Sequence, residues 1–263
     1  MSFRYRLAHS QHPAARILKR LYRNVQNFSV PAPRYVFMPI LWTYLALRAI
    51  YYVAKRVLVC EPLFKTYCTR YGQGVRTGTY IHWIQGKGRI LLGDRVLVDG
   101  KCSLTFAARY APDPTLEAGD DTVISHGCSF TIGRRITIGR HCLIAVGVKM
   151  LDASGHPTDP AGRLAGLPAP ADKVRPITIA DNVWIGMDSL ILPGTTIGEG
   201  SVVSAGSVVR GEIPPYTLVA GNPARKLASL RDPREQEPEA TMSPVQTTEP
   251  CHSDSDQLVS RFA

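Results

Sequence analysis

From Ile179 onward the chain divides into lines of six: IADNVW, IGMDSL, ILPGTT, IGEGSV, VSAGSV, VRGEIP. An aliphatic residue opens every line, at Ile179, Ile185, Ile191, Ile197, Val203 and Val209. The fifth place holds Val183, Ser189, Thr195, Ser201, Ser207 and Ile213. An α-helix would need a period of 3.6 and a simple strand a period of 2. A strict period of six fits short strands joined by tight turns and wound into a parallel β-helix. The aliphatic opener then points inward. So does the small fifth residue, where the walls approach closely.

The same spacing runs earlier in other registers: Leu92, Val98 and Leu104; Ile124, Phe130 and Ile136; Ile138, Ile144 and Met150. Each change of register implies a bulge or a loop. Cys102, Cys128 and Cys142 fall at the fifth place of their hexads and read as small buried core residues. The six cysteines include no CxxC pair, and their spacing does not fit a secreted disulfide scaffold.

Counting on from Met150, the next aliphatic place is taken by His156, flanked by Gly155 and Pro157. The segment after it, PTDPAGRLAGLPAPADKVRP, has no hexad and is rich in Pro, Gly and Ala. It predicts a loop over 157–176 that leaves the coils until they resume near Ile177. On spacing alone, the histidine at the root of this loop has two readings: a titratable group facing a cleft, or a hydrogen-bonding loop residue.

Charge changes the picture at the other end. Residues 1–70 hold twelve Lys and Arg against one acid, Glu61, a sum of +11; the whole chain carries +10, so the remainder sums to −1. An anionic membrane surface and nucleic acid both answer to such a segment. In Arg16–Phe28, Ile17, Leu21, Val25 and Phe28 share one helical face, with basic residues largely elsewhere. Tyr35–Ala54 is about as long as a membrane span but contains Pro39 and Arg48. Arg34, Arg48 and Lys55 are spaced by multiples of seven, so they share a stripe with Tyr44 and Tyr51 nearby. The pattern fits a helix lying in the membrane plane; packing on the coils and a true span are the alternatives. No apolar core with a small-residue cleavage site marks a signal peptide. The segment from residue 231, rich in Pro, Glu, Ser and Thr and containing Cys251, is expected to be disordered. The organisation is therefore 1–70 basic helical segment, 71–230 β-helix domain and 231–263 tail.

The hexads are followed by PPYTLVAGNPARKL (Pro214–Leu227), with NVWIG (Asn182–Gly186) and GHPTD (Gly155–Asp159) upstream. Over roughly residues 85–230 this combination resembles the left-handed β-helix acyltransferases, in particular the galactoside, maltose and polysaccharide O-acetyltransferases. The resemblance implies a triangular left-handed prism, a homotrimer with active sites between subunits, and acetyl-CoA as co-substrate. GHPTD matches the family's catalytic histidine motif, which makes His156 the expected general base. An imidazole titrates near neutral pH and can take the proton of an attacking hydroxyl, so no covalent enzyme intermediate is needed.

The same resemblance puts Met187 and Ala205 along the pantetheine arm and Arg225 near the nucleotide, where a guanidinium suits phosphate. Trp184 ends its hexad and should point outward, available to ligand or to a neighbouring subunit. Related chains read SVVTKDIPP where this one reads SVVRGEIPP. Arg210 thus stands at the Thr place and Gly211 at the Lys place, and the positive charge has moved by one residue. His126, in ISHGCSF, stands where galactoside-type members carry an acceptor-contacting Asn; with Asp152 and Asp159 it forms the expected acceptor set. β-Helix carbonic anhydrases bind metal through a second histidine five residues on, but Thr131 and Val146 occupy those places after His126 and His141. No metal is expected. The expectation is acetyl transfer to a sugar hydroxyl of a surface polysaccharide, lipid-linked glycan or glycolipid. It would take place in the cytoplasm at the inner membrane face, without nucleic acid. N-acetylation of an amino sugar and a non-catalytic scaffold are the alternatives.

Overall fold

The computed structural model describes residues 9, 10 and 12–231, and the tail expected to be disordered, with Cys251, lies outside them but for Arg231. The chain divides between Lys55 and Arg56 into two units.

The first unit carries helices α1 (Pro13–Gln26) and α2 (Arg34–Lys55). Proline is tolerated in the first turn because its missing N–H would have no partner there. In α1, Pro13 opens the helix and His12 Nδ1 accepts from the Ala14 N–H at 3.3 Å. Pro39 lies inside α2, where the Thr43 hydroxyl donates to its carbonyl at 2.9 Å. Neither helix has a buried residue.

The second unit opens with a π-helical turn, Arg56–Cys60, and helix α3 (Glu61–Tyr67), where Cys60 and Phe64 are buried. Residues 56–70, grouped by sequence with the N-terminal segment, belong to this unit. The strands then fill three faces in rotation. The first face contains Arg76–Thr77, Leu97–Val98, Val123–Ile124, Leu143–Ile144, Trp184–Ile185, Val202–Val203 and Thr217–Gly221. The second runs from Trp83–Gln85 through Lys149–Leu151 to Val208–Val209, and the third from Arg89–Leu92 through Ile177–Ile179 to Glu212–Ile213. Every pairing on the faces is parallel except the last, where Ala224–Ser229 returns antiparallel along Thr217–Gly221. This is the left-handed β-helix prism.

The hexad openers stack in register, Ile144 on Ile185 on Val203 and Met150 on Ile191 on Val209, and all of them are buried. Such stacking removes the apolar face of each rung from water, which no single rung can do for itself. The fifth-place residues do a second job. Ser189 Oγ donates to the Ser204 carbonyl at 3.1 Å and Ser201 Oγ to the Pro214 carbonyl at 2.8 Å. Cys128 and Cys142 thiols donate to the Ala145 and Ala180 carbonyls at 3.2 and 3.1 Å, and Cys102 to the Asp99 carbonyl at 3.2 Å. Cysteine here acts as a small hydrophobe with a weak donor. All three are buried, and the described cysteines are free thiols.

Close approach also fixes one glycine. A Cβ on Gly186, the last residue of NVWIG, would lie 2.5 Å from the Ala205 nitrogen and 2.7 Å from the Val203 oxygen. The coil above leaves room for hydrogen only.

Candidate functional site

Three corners join the faces, and the candidate residues divide between two of them. The first corner, from first face to second, carries a backbone ladder. Gly127 N–H donates to the Gly100 carbonyl (3.3 Å), Gly147 to His126 (3.3 Å), Asp188 to Val146 (3.0 Å) and Gly206 to Met187 (2.8 Å). These bonds align His126, Val146, Met187 and Ala205 in one row along the prism edge. His126, Met187 and Ala205 are exposed. The row therefore offers a continuous edge of small and apolar groups ending at an imidazole.

Next to it, on the first face, Trp184 is 53% and Leu143 51% exposed, directly paired on adjacent strands. Val202 and Leu218 continue this outward rung. Arg225 belongs to the antiparallel strand at the end of the same face, paired with Ala220, and its Nη1 donates to the Ala224 carbonyl at 2.9 Å.

His156 is exposed and belongs to the second corner, where the chain leaves after Lys149–Leu151 and returns at Ile177. The excursion holds helix α4 (Pro160–Leu164) and a 3-10 turn, Ala171–Lys173. It is pinned to that corner. Arg175 N–H donates to the Asp152 carbonyl at 2.9 Å and Arg134 Nη2 to the Ala171 carbonyl at 3.1 Å. Ala153 and Val174 crowd against Gly133. Arg210, exposed, follows Val208–Val209 at the same corner, two coils on.

Two members of the expected acceptor set have other work. Asp152 is fully buried, and its carboxylate accepts from three backbone N–H groups: Gly133 (2.5 Å), Arg134 (2.7 Å) and Arg135 (2.8 Å). Burial pushes its carboxyl above the usual carboxylate range while the three donors pull it back. It ties the turn of the coil below and has no surface to offer an acceptor, so it leaves the set. Asp159 is the N-cap of α4, with Oδ2 accepting from the Gly162 N–H at 2.6 Å. Arg163 Nη1 closes the same segment by donating to the Thr158 carbonyl at 2.6 Å. These bonds fix the backbone just after His156.

Two residues were not singled out by sequence. Asp99 Oδ2 stands 3.5 Å from His126 Nδ1, one coil away. Leu143 doubles the apolar patch at Trp184. The signal for Leu143 was present, since each residue preceding a hexad opener points out. The Asp99 pairing needs the coil-to-coil register. Among the described residues no group of His, Cys, Asp or Glu is arranged to hold a metal ion.

The model of the family described as bacterial transferase hexapeptide (six repeats) matches residues 176–211. Galactoside O-acetyltransferase of Escherichia coli K12 is 43% identical over 97 residues, 37% of this chain and 45% of that protein. The chain spans about half the length of the curated relatives it matches. A hexapeptide-repeat containing acetyltransferase of Vibrio cholerae is 34% identical, with 61% of this chain and 76% of that one covered and a TM-score of 0.42; it has also been crystallised with acetyl coenzyme A. The N-acyltransferase AntD of Bacillus cereus shares the fold at 21% identity and a TM-score of 0.52, covering 65% and 89% of the two chains.

Proposed function

The chain belongs to the hexapeptide-repeat transferases, and on that premise we propose that it is an acetyl-CoA-dependent O-acetyltransferase acting on a sugar hydroxyl with His156 as general base. The observation that carries the reading is the separation of the two candidate sets. The row His126–Val146–Met187–Ala205 and the histidine His156 stand at different corners of one prism. The second face lies between them and is three residues wide at Lys149–Leu151, about 10 Å. General-base attack needs reacting atoms within about 3.5 Å. A second copy that sets its first corner against His156 closes that gap. The rung of exposed Leu143 and Trp184 and half-buried Val202 and Leu218 supplies apolar surface for such packing in a homotrimer, a heterologous ring closed by threefold symmetry.

In this arrangement the pantetheine arm lies along the row, against Met187 and Ala205, with Trp184 beside it and Arg225 and Arg210 towards the phosphates. The acceptor enters between His126 and His156. Its hydroxyl proton passes to the His156 imidazole as the oxygen bonds to the thioester carbon. The tetrahedral oxyanion collapses, the C–S bond breaks, and the imidazolium returns the proton to the CoA thiolate. The likeness to a galactoside O-acetyltransferase and the +11 charge of residues 1–70 support our reading of the acceptor class. It is a glycan, lipid-linked precursor or glycolipid at the cytoplasmic face of an anionic membrane.

His156→Ala should lower kcat by about 10²–10⁴-fold, the usual worth of a general base, with CoA affinity by thermal shift unchanged. An Ala205→Trp variant, blocking the row, should lose CoA binding. Co-expression of the two variants should restore turnover, since a mixed trimer pairs an intact His156 with an intact row. Turnover near wild type in His156→Ala, or no restoration on mixing, would overturn the assignment.

A further inference from the structure

Helix α2 has twenty-two residues, about 33 Å, and not one of them is buried. Phe37, Trp42, Leu47 and Ile50 are between 41% and 66% exposed, and they project from several sides of the helix. Its most apolar eighteen-residue window has a mean hydropathy of 1.4. A helix apolar on all but one narrow stripe needs an apolar surrounding for its other sides. Charge decides which. Helix α1 carries Arg16, Lys19, Arg20 and Arg23, with Ile17, Leu21 and Val25 exposed beside them. No Asp or Glu occurs before Glu61. An anionic bilayer offers both an apolar interior and a negative face.

We propose that α1 and α2 form a monotopic anchor in one leaflet of an anionic bilayer, with both ends of α2 on the same side. Basic groups stand at both ends: Arg34 with the four of α1 before it, and Lys55 and Arg56 after it. A crossing would carry one of these clusters to the far side, against the bias that keeps Lys and Arg on the cytoplasmic side. It would also sink Arg48, seven residues short of Lys55, about 10 Å into hydrocarbon. Instead Tyr44, Arg48, Tyr51 and Lys55 recur at spacings of four, three and four along one stripe. The Arg48 guanidinium lies 5.7 Å from the Tyr44 ring centre. That edge suits headgroups. A groove of about 480 Å³ runs past Arg34, Phe37, Leu41 and Tyr44. The same-side topology also rests on the transferase reading, because it keeps the second unit on the side where acetyl-CoA is found.

The full-length protein is floated with vesicles of phosphatidylcholine alone or mixed with phosphatidylglycerol. Wild type should bind the mixed vesicles about tenfold more or better, and added salt should weaken this. The fourfold variant Arg16→Gln, Lys19→Gln, Arg20→Gln, Arg23→Gln should lose that preference. Leu41→Glu with Leu47→Glu and Ile50→Glu should lose binding to both. All these side chains but Lys19, which is half-buried and donates to the Ser10 carbonyl at 3.1 Å, are exposed, and none is part of a core. Single cysteines at His12→Cys and Leu58→Cys, with Cys68 and Cys251 changed to Ser, are then probed on sealed vesicles with an impermeant maleimide. Both should label from outside. Protection of one of them would overturn the one-sided topology. Unchanged flotation of the triple Glu variant, with altered self-association in the absence of lipid, would make a second copy the occupant and overturn the anchor. CoA binding and turnover on a soluble acceptor are separate readouts, so failure here is distinct from failure of the transferase reading.

Discussion

Replacing Asp152 by Ala removes the acceptor of three backbone N–H groups at once. The bonds to Gly133, Arg134 and Arg135 measure 2.5, 2.7 and 2.8 Å, and the Gly133 bond is fully buried. A buried donor left unsatisfied costs about 1–3 kcal/mol. Counting the buried donor in full and the two part-buried ones at the lower end gives a loss of about 3–5 kcal/mol. For a domain of this size each kcal/mol moves Tm by about 2–4 °C, so the midpoint should fall by about 6–20 °C. Asp152→Asn keeps one acceptor oxygen but aims an amide donor at the remaining N–H groups, and should fall between. The assay is calorimetry of the full chain, read beside CoA titration. Because Asp152 also roots the excursion through the Arg175 N–H bond to its carbonyl, turnover should fall with stability, and CoA affinity should hold at temperatures where the protein is folded. A Tm within about 2 °C of wild type would refute the reasoning and return Asp152 to the acceptor set.

The same geometry yields three further outcomes. Burial lowers the His82 pKa to about 4. Thr77 spends its hydroxyl proton on the Val98 carbonyl, so His82 Nε2 donates to Thr77 and Nδ1 is left buried without a partner beside the Phe64 ring. A histidine depressed in the folded state stabilises fully above about pH 6.5 and loses that contribution as pH falls toward 4. The loss is about 3 kcal/mol, and His82→Gln should flatten this part of the Tm–pH profile. Gly186→Ala must displace the Val203–Ala205 turn, and should lower Tm and weaken CoA binding together, whereas unchanged CoA affinity would separate that turn from the coenzyme. Cys102→Ser, Cys128→Ser and Cys142→Ser preserve the turn-tying donor and should each shift Tm by only a few degrees; labelling by a thiol reagent in the folded state would show that these groups are not buried.

The prism was legible because a period of six states which side chain faces inward, and the openers from Ile179 to Val209 are all buried. The earlier coils were legible only in pieces. The strand Arg135–Ile138 turns both Ile136 and Ile138 inward, as Ile177–Ile179 does with its two isoleucines. The count of six therefore slips by two there, for reasons of strand length that no hexad records. Residues 56–70 were grouped with the N-terminal segment by charge, since their Lys and Arg resemble those upstream, while the packing of Phe64 against His82 is a tertiary fact that no charge count records. Asp152 was drawn to the acceptor set by nearness in sequence to His156. Its real partners lie 17 to 19 residues back, in the coil beneath, and only the wound register brings that turn under it.

His156 marks the limit of what one chain can display. Its place after Met150 identifies it as the point where the repeat stops, and the bonds of Asp159 and Arg163 explain why the backbone beyond it is held. Yet among the described residues nothing on its own corner completes the proposed transferase centre: Arg210 is a cation two coils away, and Asp152 is turned inward. The complementary features, an exposed apolar row and a rung led by Trp184, stand one corner earlier. A prism has the same corners in every copy, so the surface that one chain lacks beside His156 is the surface that every copy exposes at Met187 and Ala205. On the proposed reading, chemistry divided in this way would make oligomerisation a requirement for activity. A monomeric variant would retain the fold, the buried thiols and the Asp152 turn while losing the reaction.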